Sequence, residues 1–147
     1  MEEHTDWREA MYFGHPVNTY NTPLETELME TLQLAFKEKH IENPNQLKHQ
    51  EGYKRVGMNY YFDEVLPTMA AGVFLSFPDG KFGAGVFGEA ERMVSLSRGI
   101  WTVTYDRVIK SVKDIEVLRS RALTVEETRQ RIYIGGKREN GMKGFFD

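Results

Sequence analysis

The sequence predicts an α/β domain with a parallel β-sheet and helices on both of its faces. Two observations support this prediction. Short apolar runs alternate along the chain with segments of helical periodicity, and this order is typical of a parallel sheet. The chain has 147 residues, which is the size of one domain with its own core. We therefore predict a single domain over residues 1–147.

The N-terminal part begins with a polar lead-in over residues 1–9. The run AMYFG over residues 10–14 predicts a strand buried on both faces, and the loop HPVNTYNT follows it. Thr22 and Glu25 have the spacing of a capping box, with a proline at the first helical position. Apolar residues at helical spacing extend the predicted helix to about residue 39.

The central part contains the strongest strand prediction. Residues 40–43 predict a short strand, whereas residues 45–56 lack a clear periodicity and fit a loop or an irregular helix. Helical spacing returns over residues 58–69. The run AAGVFLSF over residues 70–77 then predicts a strand, because β-branched and aromatic residues precede a Pro-Asp-Gly turn.

The C-terminal part adds a predicted helix over residues 86–96 and a strand over residues 100–104. Residues 108–118 fit a strand or a helix. Thr124 and Glu127 have capping-box spacing and open a further helix.

The tail over residues 135–147 carries four glycines and ends in Phe145, Phe146 and an aspartate. Such a tail is either disordered or docked on a neighbouring subunit. Docking would account for the two aromatic residues.

Composition excludes several classes of function. The chain has no cysteine, which rules out thiolate metal sites and cysteine nucleophiles and is typical of a reducing compartment. The net charge of −3 gives no electrostatic reason to bind nucleic acid polymers or anionic membranes. No apolar run is long enough to span a bilayer, and the acidic start is unlike a signal peptide. We expect a cytoplasmic protein.

Two loops are expected to meet where ligands bind in such folds, at the carboxyl ends of the strands. They cover residues 14–21 and 78–85, and the second is rich in glycine. Gly83 and Gly85 allow a close approach of the backbone to a ligand. The string from Gly83 to Gly88 matches G-x-G-x-x-G, but it lies in the third strand–helix unit and lacks the acidic residue that binds ribose. A nicotinamide cofactor is therefore not favoured.

Glu89 follows this glycine-rich loop and has two interpretations. An acidic residue in the first turn of a helix is stabilised by the helix dipole. Alternatively, the loop delivers a reactive carboxylate to the carboxyl edge of the sheet. Glu91 points to another face of the helix and is the better candidate for a solvated acid.

Two motifs, MYFGHPV and VFLSFPDG followed by GVFGEA, make the chain resemble the nucleoside 2-deoxyribosyltransferase family and the related deoxynucleotide N-glycosidases. The resemblance covers about residues 11–104. It implies a flavodoxin-like, three-layer sandwich that acts on a small-molecule nucleoside or nucleotide without a metal or redox cofactor. It also implies a homodimer or larger homo-oligomer, in which C-terminal residues of a neighbour complete the pocket.

The resemblance assigns catalytic roles to three residues. Glu89 is similar to the nucleophilic glutamate of the family, whose carboxylate stabilises positive charge at C1′ and forms a covalent glycosyl-enzyme. Asp79 is the candidate acid that protonates the departing base, although it also fits a turn-forming residue. Tyr12 is the candidate that orients Glu89 through its hydroxyl, although it also fits a buried strand aromatic.

Further residues are candidates for substrate binding because of the loops they occupy. Phosphate-binding relatives carry a serine and an arginine in the first loop, and this chain has neither there, which favours a nucleoside over a nucleotide. The four histidines lack metal-ligand spacing, so no metal site is predicted. The candidates for substrate binding are Gly14, His15, Asn18, Asn21, Asn43, Asn59, Gly83 and Gly85.

The same residues also fit a non-catalytic module that binds a nucleotide-like ligand, since a fold alone does not determine a function. A third interpretation, a protein-interaction scaffold, depends only on the aromatic tail. Release of a free base would distinguish the enzyme from both alternatives.

Overall fold

The computed structural model describes residues 10–134 and 137–138. Its main sheet has five strands in the order β2-β1-β3-β4-β5, which is the strand order of flavodoxin-like folds. Strands β1 to β4 are parallel, and β5 pairs antiparallel with β4. The strands are β1 (Ala10–Gly14), β2 (His40–Glu42), β3 (Ala71–Leu75), β4 (Gly99–Val103) and β5 (Ile109–Val112). The predicted fold class is confirmed, although the fifth strand makes the sheet mixed.

Helices cover both faces of this sheet and complete the three layers. They are α1 (Pro23–Ala35), α2 (Leu47–Val56), α3 (Ala84–Ser95), α4 (Ile115–Arg119) and α5 (Val125–Ile132). Three short helical segments and one two-stranded ribbon complete the described chain. They are a 3₁₀ turn (Val17–Thr19), a π-helical segment (Tyr61–Val65), a second 3₁₀ turn (Leu66–Thr68), and strands β6 (Tyr133–Ile134) and β7 (Lys137–Arg138).

The alternation of side chains along the central strands separates two cores. In β1, Met11 and Phe13 face the layer that contains α1, whereas Tyr12 faces the layer that contains α3. In β3, Val73 faces the layer that contains α1, and Phe74 faces the layer that contains α3. Every residue of both strands is buried, as expected for central parallel strands with helices on either side.

Several element boundaries match the predictions. Strand β1 covers the predicted residues, and α1 begins at Pro23 with the Thr22 hydroxyl accepting a hydrogen bond from the Glu25 amide, at 3.3 Å. At α5 both capping-box bonds are present, from the Glu127 amide to Thr124 Oγ1 and from the Thr124 amide to the Glu127 carboxylate.

Other boundaries differ from the predictions. Helix α1 ends at Ala35, four residues before the predicted end, and residues 45–56 contain a regular helix, α2. Residues 58–69 are not one α-helix but a π-helical segment followed by a 3₁₀ turn that contains Pro67, since proline cannot donate the next helical hydrogen bond. Residues 108–118 contain both a strand and a helix.

The lead-in over residues 1–9 and most of the tail, including Phe145 and Phe146, lie outside the described residues. Within the described part of the chain, no helix has both the length and the apolar character needed to cross a membrane.

Candidate active site

A cavity lies at the carboxyl ends of β1 and β3, beside the first turns of α3. These two strands flank the position where the strand order reverses, which is where ligands bind in open α/β sheets. Both loops singled out in the sequence contribute to its walls. The lining residues are Tyr12, His15, Pro16, Val17, Tyr20, Tyr53, Met58, Tyr61, Phe77, Gly83, Gly85, Val86, Glu89, Thr128 and Ile132.

Tyr12 and Glu89 are joined by a hydrogen bond inside this cavity. The Tyr12 hydroxyl donates to Glu89 Oε2 at 2.8 Å. Tyr12 reaches α3 because its side chain leaves β1 on the face that α3 covers. Both side chains are buried, with exposed fractions of 1% for Tyr12 and 6% for Glu89. The geometry is the one expected if Tyr12 orients Glu89.

The sequence suggested that Glu89 lies in the first turn of its helix, but in the structure it lies beyond that turn. Helix α3 begins at Ala84, which makes Glu89 its sixth residue. The dipole effect fades beyond the first turn, so the helix end does not stabilise the charge. Burial raises the pKa of Glu89 to about 8, and the hydrogen bond from Tyr12 only partly opposes this rise.

Gly14 is required by the close approach of the carboxylate to β1. A Cβ atom on Gly14 would lie 2.9 Å from Glu89 Oε1 and 2.6 Å from Phe74 Cδ1. Both distances are shorter than a carbon atom normally tolerates. The predicted site residue Gly14 therefore lies directly against Glu89.

The N-terminus of α3 is capped by a side chain of α5. Gly83, the N-cap, has no side chain to offer, and the amide of Ala84 donates instead to Thr128 Oγ1 of α5 at 2.8 Å. A Cβ on Gly83 would lie 3.2 Å from Thr128 Cγ2. The candidate residues Gly83 and Gly85 line the cavity, and Thr128 joins them from a distant part of the sequence.

Three candidate substrate-binding residues bind Glu25 instead of presenting polar atoms to the cavity. His15 Nε2 contacts Glu25 Oε2 at 2.9 Å, and the other ring nitrogen, Nδ1, contacts the Phe13 carbonyl at 2.9 Å. The backbone amide of Asn21 donates to Glu25 Oε1 at 2.9 Å, and Asn43 Nδ2 donates to Oε2 at 3.3 Å. His15 lines the cavity, but both of its nitrogens are already engaged.

Glu25 is therefore the centre of a buried polar cluster that joins the first loop to the segment after β2. Burial alone would raise its pKa, but hydrogen bonds from His15, Asn21 and Asn45 more than offset this, and the pKa lies below its usual value. The same bonds explain why Glu25 does not complete the predicted capping box. Its carboxylate accepts from the Asn21 amide rather than from that of Thr22.

Asp79, the predicted acid, is not brought to Glu89. Its two carboxylate oxygens each accept a hydrogen bond of 2.8 Å from the Arg131 guanidinium, and both side chains lie at the surface. This pairing holds the pKa of Asp79 at about 2, whereas an acid that works near neutral pH needs a raised pKa. Asp79 is absent from the described residues that line the cavity.

The two remaining asparagine candidates also lie away from the cavity walls. Asn18 has a buried Oδ1 without a hydrogen-bond partner among the described residues. Asn59 borders a separate surface depression with Phe62 and Arg92, on the outer side of α3.

Apart from Tyr12, sequence reasoning did not single out the tyrosines that line the cavity. Tyr20, Tyr53 and Tyr61 come from three separate segments, and Met58 lies beside them. The run Tyr60-Tyr61-Phe62 was visible in the sequence, but helical spacing did not reveal which ring faces the cavity. Tyr61 has a buried hydroxyl with no hydrogen-bond partner in the described structure.

A second polar cluster supports this wall from behind. His49 contacts Glu42 Oε2 through Nε2 at 2.6 Å and the Tyr60 hydroxyl through Nδ1 at 2.7 Å. Glu42 also accepts from His40 and Lys48. Burial opposes ionisation, yet these donors together lower the pKa of Glu42 to about 2. The cluster links β2, α2 and the start of the π-helical segment.

The cavity has a volume of about 70 Å³, which is room for about two water molecules. Small-molecule sites usually measure about 300–1,000 Å³. Met58 and Gly85 both line the cavity, and the Met58 methyl group lies 4.0 Å from the position of a Cβ on Gly85. A ligand larger than a few atoms therefore requires this wall to move.

The described residues contain no group of three or more histidine, cysteine, aspartate or glutamate side chains that could hold a metal ion. Comparison of the chain with protein-family models, with curated proteins and with solved structures gave no match. Inferences about function therefore rest on the geometry of the site.

Proposed function

We propose that this protein cleaves or transfers the N-glycosidic bond of a nucleoside or nucleotide, with Glu89 as the nucleophile. The observation that carries this proposal is the buried Glu89 carboxyl group, held by the Tyr12 hydroxyl in a cavity at the reversal point of the sheet. A carboxylate in such a place is suited to stabilise the positive charge that develops at C1′ when a base departs.

The reaction would proceed in two displacements. An oxygen of the ionised Glu89 carboxylate forms a bond to C1′ while the bond between C1′ and the base nitrogen breaks. The electron pair of that bond leaves with the base, which takes up a proton. Water or a nitrogen of a second base then attacks C1′ and gives up a proton to solvent, while the bond between C1′ and the Glu89 oxygen breaks and frees the carboxylate, so that the configuration at C1′ is retained.

Tyr12 would keep one carboxylate oxygen in place during these steps. Its hydrogen bond to Oε2 fixes the rotation of the carboxyl group and favours the ionised form that attacks. Because the pKa of Glu89 is raised to about 8, the ionised fraction and the rate are expected to grow as the pH rises from 6 to 8.

The proposal requires the cavity to widen beyond its volume of about 70 Å³. Met58 is the side chain best suited to move, because it is only partly buried and because methionine adapts to gaps of irregular shape. The proposal also includes a homo-oligomer whose tail residues complete a neighbour's pocket, and a cytoplasmic location consistent with the absence of cysteine.

A non-catalytic module that binds a nucleotide-like ligand is the second candidate. One observation favours it: among the described residues that line the cavity, Glu89 is the single carboxylic acid, because Asp79 is paired with Arg131 at the surface. A departing base would then have to take its proton from solvent.

The test is incubation with a panel of nucleosides and nucleotides, with and without an acceptor base, followed by chromatography for free or exchanged base. We expect product from the wild-type protein and none from Glu89→Gln. Glu91→Gln is the matched control, since Glu91 lies on the same helix but is exposed and pairs with Arg119. Ligand-induced thermal stabilisation without product would favour the binding module.

A further inference from the structure

Tyr61 lines the cavity and has a hydroxyl that lacks a hydrogen-bond partner among the described residues. The residue is 3% exposed, and its hydroxyl makes no hydrogen bond to the described part of the chain. Leaving a buried hydroxyl unpaired is costly, so buried polar groups without a partner are rare and call for an explanation. A ligand in the cavity would provide the missing partner.

Packing holds the Tyr61 ring in this wall. Its centroid lies 6.3 Å from that of Tyr12, 5.1 Å from that of Tyr60 and 6.3 Å from that of Tyr53. Tyr60 is itself bonded to His49. Tyr61 also begins the π-helical segment, and π-helical segments occur frequently at functional sites. The ring is therefore kept in position although its hydroxyl forms no hydrogen bond with the described residues.

The hydroxyl of Tyr61 acts as a donor at neutral pH. Burial and the nearby Glu89 both raise its pKa above the usual value, so the proton stays on the oxygen. Tyr12 differs, because its hydroxyl is already bonded to Glu89. Tyr61 can therefore donate to an oxygen or nitrogen acceptor of a ligand without giving up another bond.

The charges around the cavity indicate an uncharged ligand. None of the described lining residues is lysine or arginine. His15 lines the cavity, but both of its ring nitrogens are engaged by Phe13 and Glu25. A phosphate inside the cavity would lie beside Glu89 without a free cationic partner among the described lining residues, and burial of an unpaired charge is strongly unfavourable. The aromatic walls suit a planar base.

We propose that Tyr61 is a ligand-binding residue that donates a hydrogen bond to an unphosphorylated nucleoside in this cavity. This inference rests on the proposed function, because it takes the same cavity to be the substrate site. It adds a specificity-determining residue and narrows the substrate from nucleosides and nucleotides to nucleosides.

The test measures binding by calorimetry, so that turnover is not needed. Nucleosides and their 5′-monophosphates are titrated into the wild-type protein, Tyr61→Phe and the control Tyr105→Phe, whose partly buried ring packs against the core on the opposite face of the sheet. We expect Tyr61→Phe to weaken nucleoside binding about tenfold, as for loss of one hydrogen bond, and to leave the melting temperature unchanged or raised. In the wild-type protein, the nucleoside should bind more tightly than its monophosphate.

Three results would overturn the inference: equal nucleoside affinity of Tyr61→Phe and the wild type, tighter binding of monophosphates, or no binding by any nucleoside. The outcome is separable from that of the proposed function. Base release with an unchanged KM in Tyr61→Phe overturns the role of Tyr61 and leaves the glycosidic reaction standing. Binding that weakens in Tyr61→Phe without any base release supports the role of Tyr61 and favours the binding module.

Discussion

The Tyr12 hydroxyl donates a 2.8 Å hydrogen bond to Glu89, a residue 77 positions later in the sequence. The bond joins β1 to α3, beside the point between β1 and β3 where the strand order reverses. It is the contact that most distinguishes this cavity from a gap between secondary-structure elements. Replacing Tyr12 tests its effect on Glu89, and replacing Glu89 tests the carboxyl group itself.

Tyr12→Phe is expected to raise the pKa of Glu89 further, because the hydrogen bond from Tyr12 lowers it. The pH–rate profile of the proposed reaction should move to higher pH, and the rate at pH 7 should fall. Loss of one buried hydrogen bond should also cost about 1 kcal/mol of unfolding free energy. Urea denaturation and a pH–rate profile measure the two effects. A profile identical to the wild type would show that Tyr12 does not act on Glu89.

Glu89 should make the protein less stable as the pH rises. Its pKa is about 8 in the folded protein, against an ordinary value of 4.5, so the folded state holds the proton more tightly than the unfolded state. Its stabilising contribution is complete below about pH 4.5 and is lost as the pH rises through 8. The difference in unfolding free energy between the wild type and Glu89→Gln should therefore fall across this window. A constant difference would contradict the raised pKa.

Gly14→Ala should disrupt the site and the sheet together. The new methyl group would lie 2.9 Å from Glu89 Oε1 and 2.6 Å from the Phe74 ring, and overpacking of this kind costs about 1–3 kcal/mol. Gly88→Ala is the control, since its Cβ would meet only Phe62 at 3.5 Å and alanine favours a helix. Chemical denaturation should give a lower free energy of unfolding for Gly14→Ala than for the wild type, and a higher one for Gly88→Ala. Equal stability of Gly14→Ala and the wild type would show that the close contact relaxes freely.

Glu42→Gln should reduce stability at neutral pH and change the response to acid. The pKa of Glu42 is lowered to about 2, so its contribution is present above its ordinary pKa and is lost as the pH falls toward 2. In the variant, the free energy of unfolding should no longer contain this contribution, so it should fall less as the pH is lowered. Glu64→Gln serves as the control, because Glu64 pairs with Arg55 at the surface, where such pairs contribute little. An acid limb that is the same in both variants would contradict the assignment.

Asp79→Asn should leave the proposed reaction unchanged. Asp79 pairs with Arg131 at the surface and lies outside the cavity wall, and exposed ion pairs change stability by less than about 1 kcal/mol. The rate of base release is the measurement. A rate reduced by a hundredfold or more would return Asp79 to the role of general acid that its place after β3 first suggested.

The sequence predicts the parts of this fold that depend on local chemistry. An apolar run bounded by glycine gives β1, and the capping residues Thr22 and Thr124 give the starts of α1 and α5. Local sequence signals are weaker where tertiary contacts determine the secondary structure. Helix α2 has an irregular pattern because it buries a polar residue, His49, against Glu42 rather than an apolar stripe.

The candidate site shows the same difference between features that local sequence predicts and features that tertiary contacts determine. The closeness of Glu89, Tyr12 and Gly14 was predictable because these residues belong to the two motifs that the sequence analysis placed together. Contacts outside these motifs, such as the hydrogen bond from Ala84 to Thr128, were not predictable, because a hydrogen bond over a long sequence separation leaves no periodic signal. The loop asparagines show this most clearly: Asn21 and Asn43 are polar loop residues, as a binding site would need, but Glu25 engages both.

The cap that Thr128 provides to α3 affects the order in which the protein can be built. The sheet is complete at Val112, but the helix that carries Glu89 lacks its cap until α5 has been added. During synthesis on a ribosome, the strands can thus assemble before the cavity is finished. A nascent chain that stops short of α5 would hold the frame of the domain without its final wall.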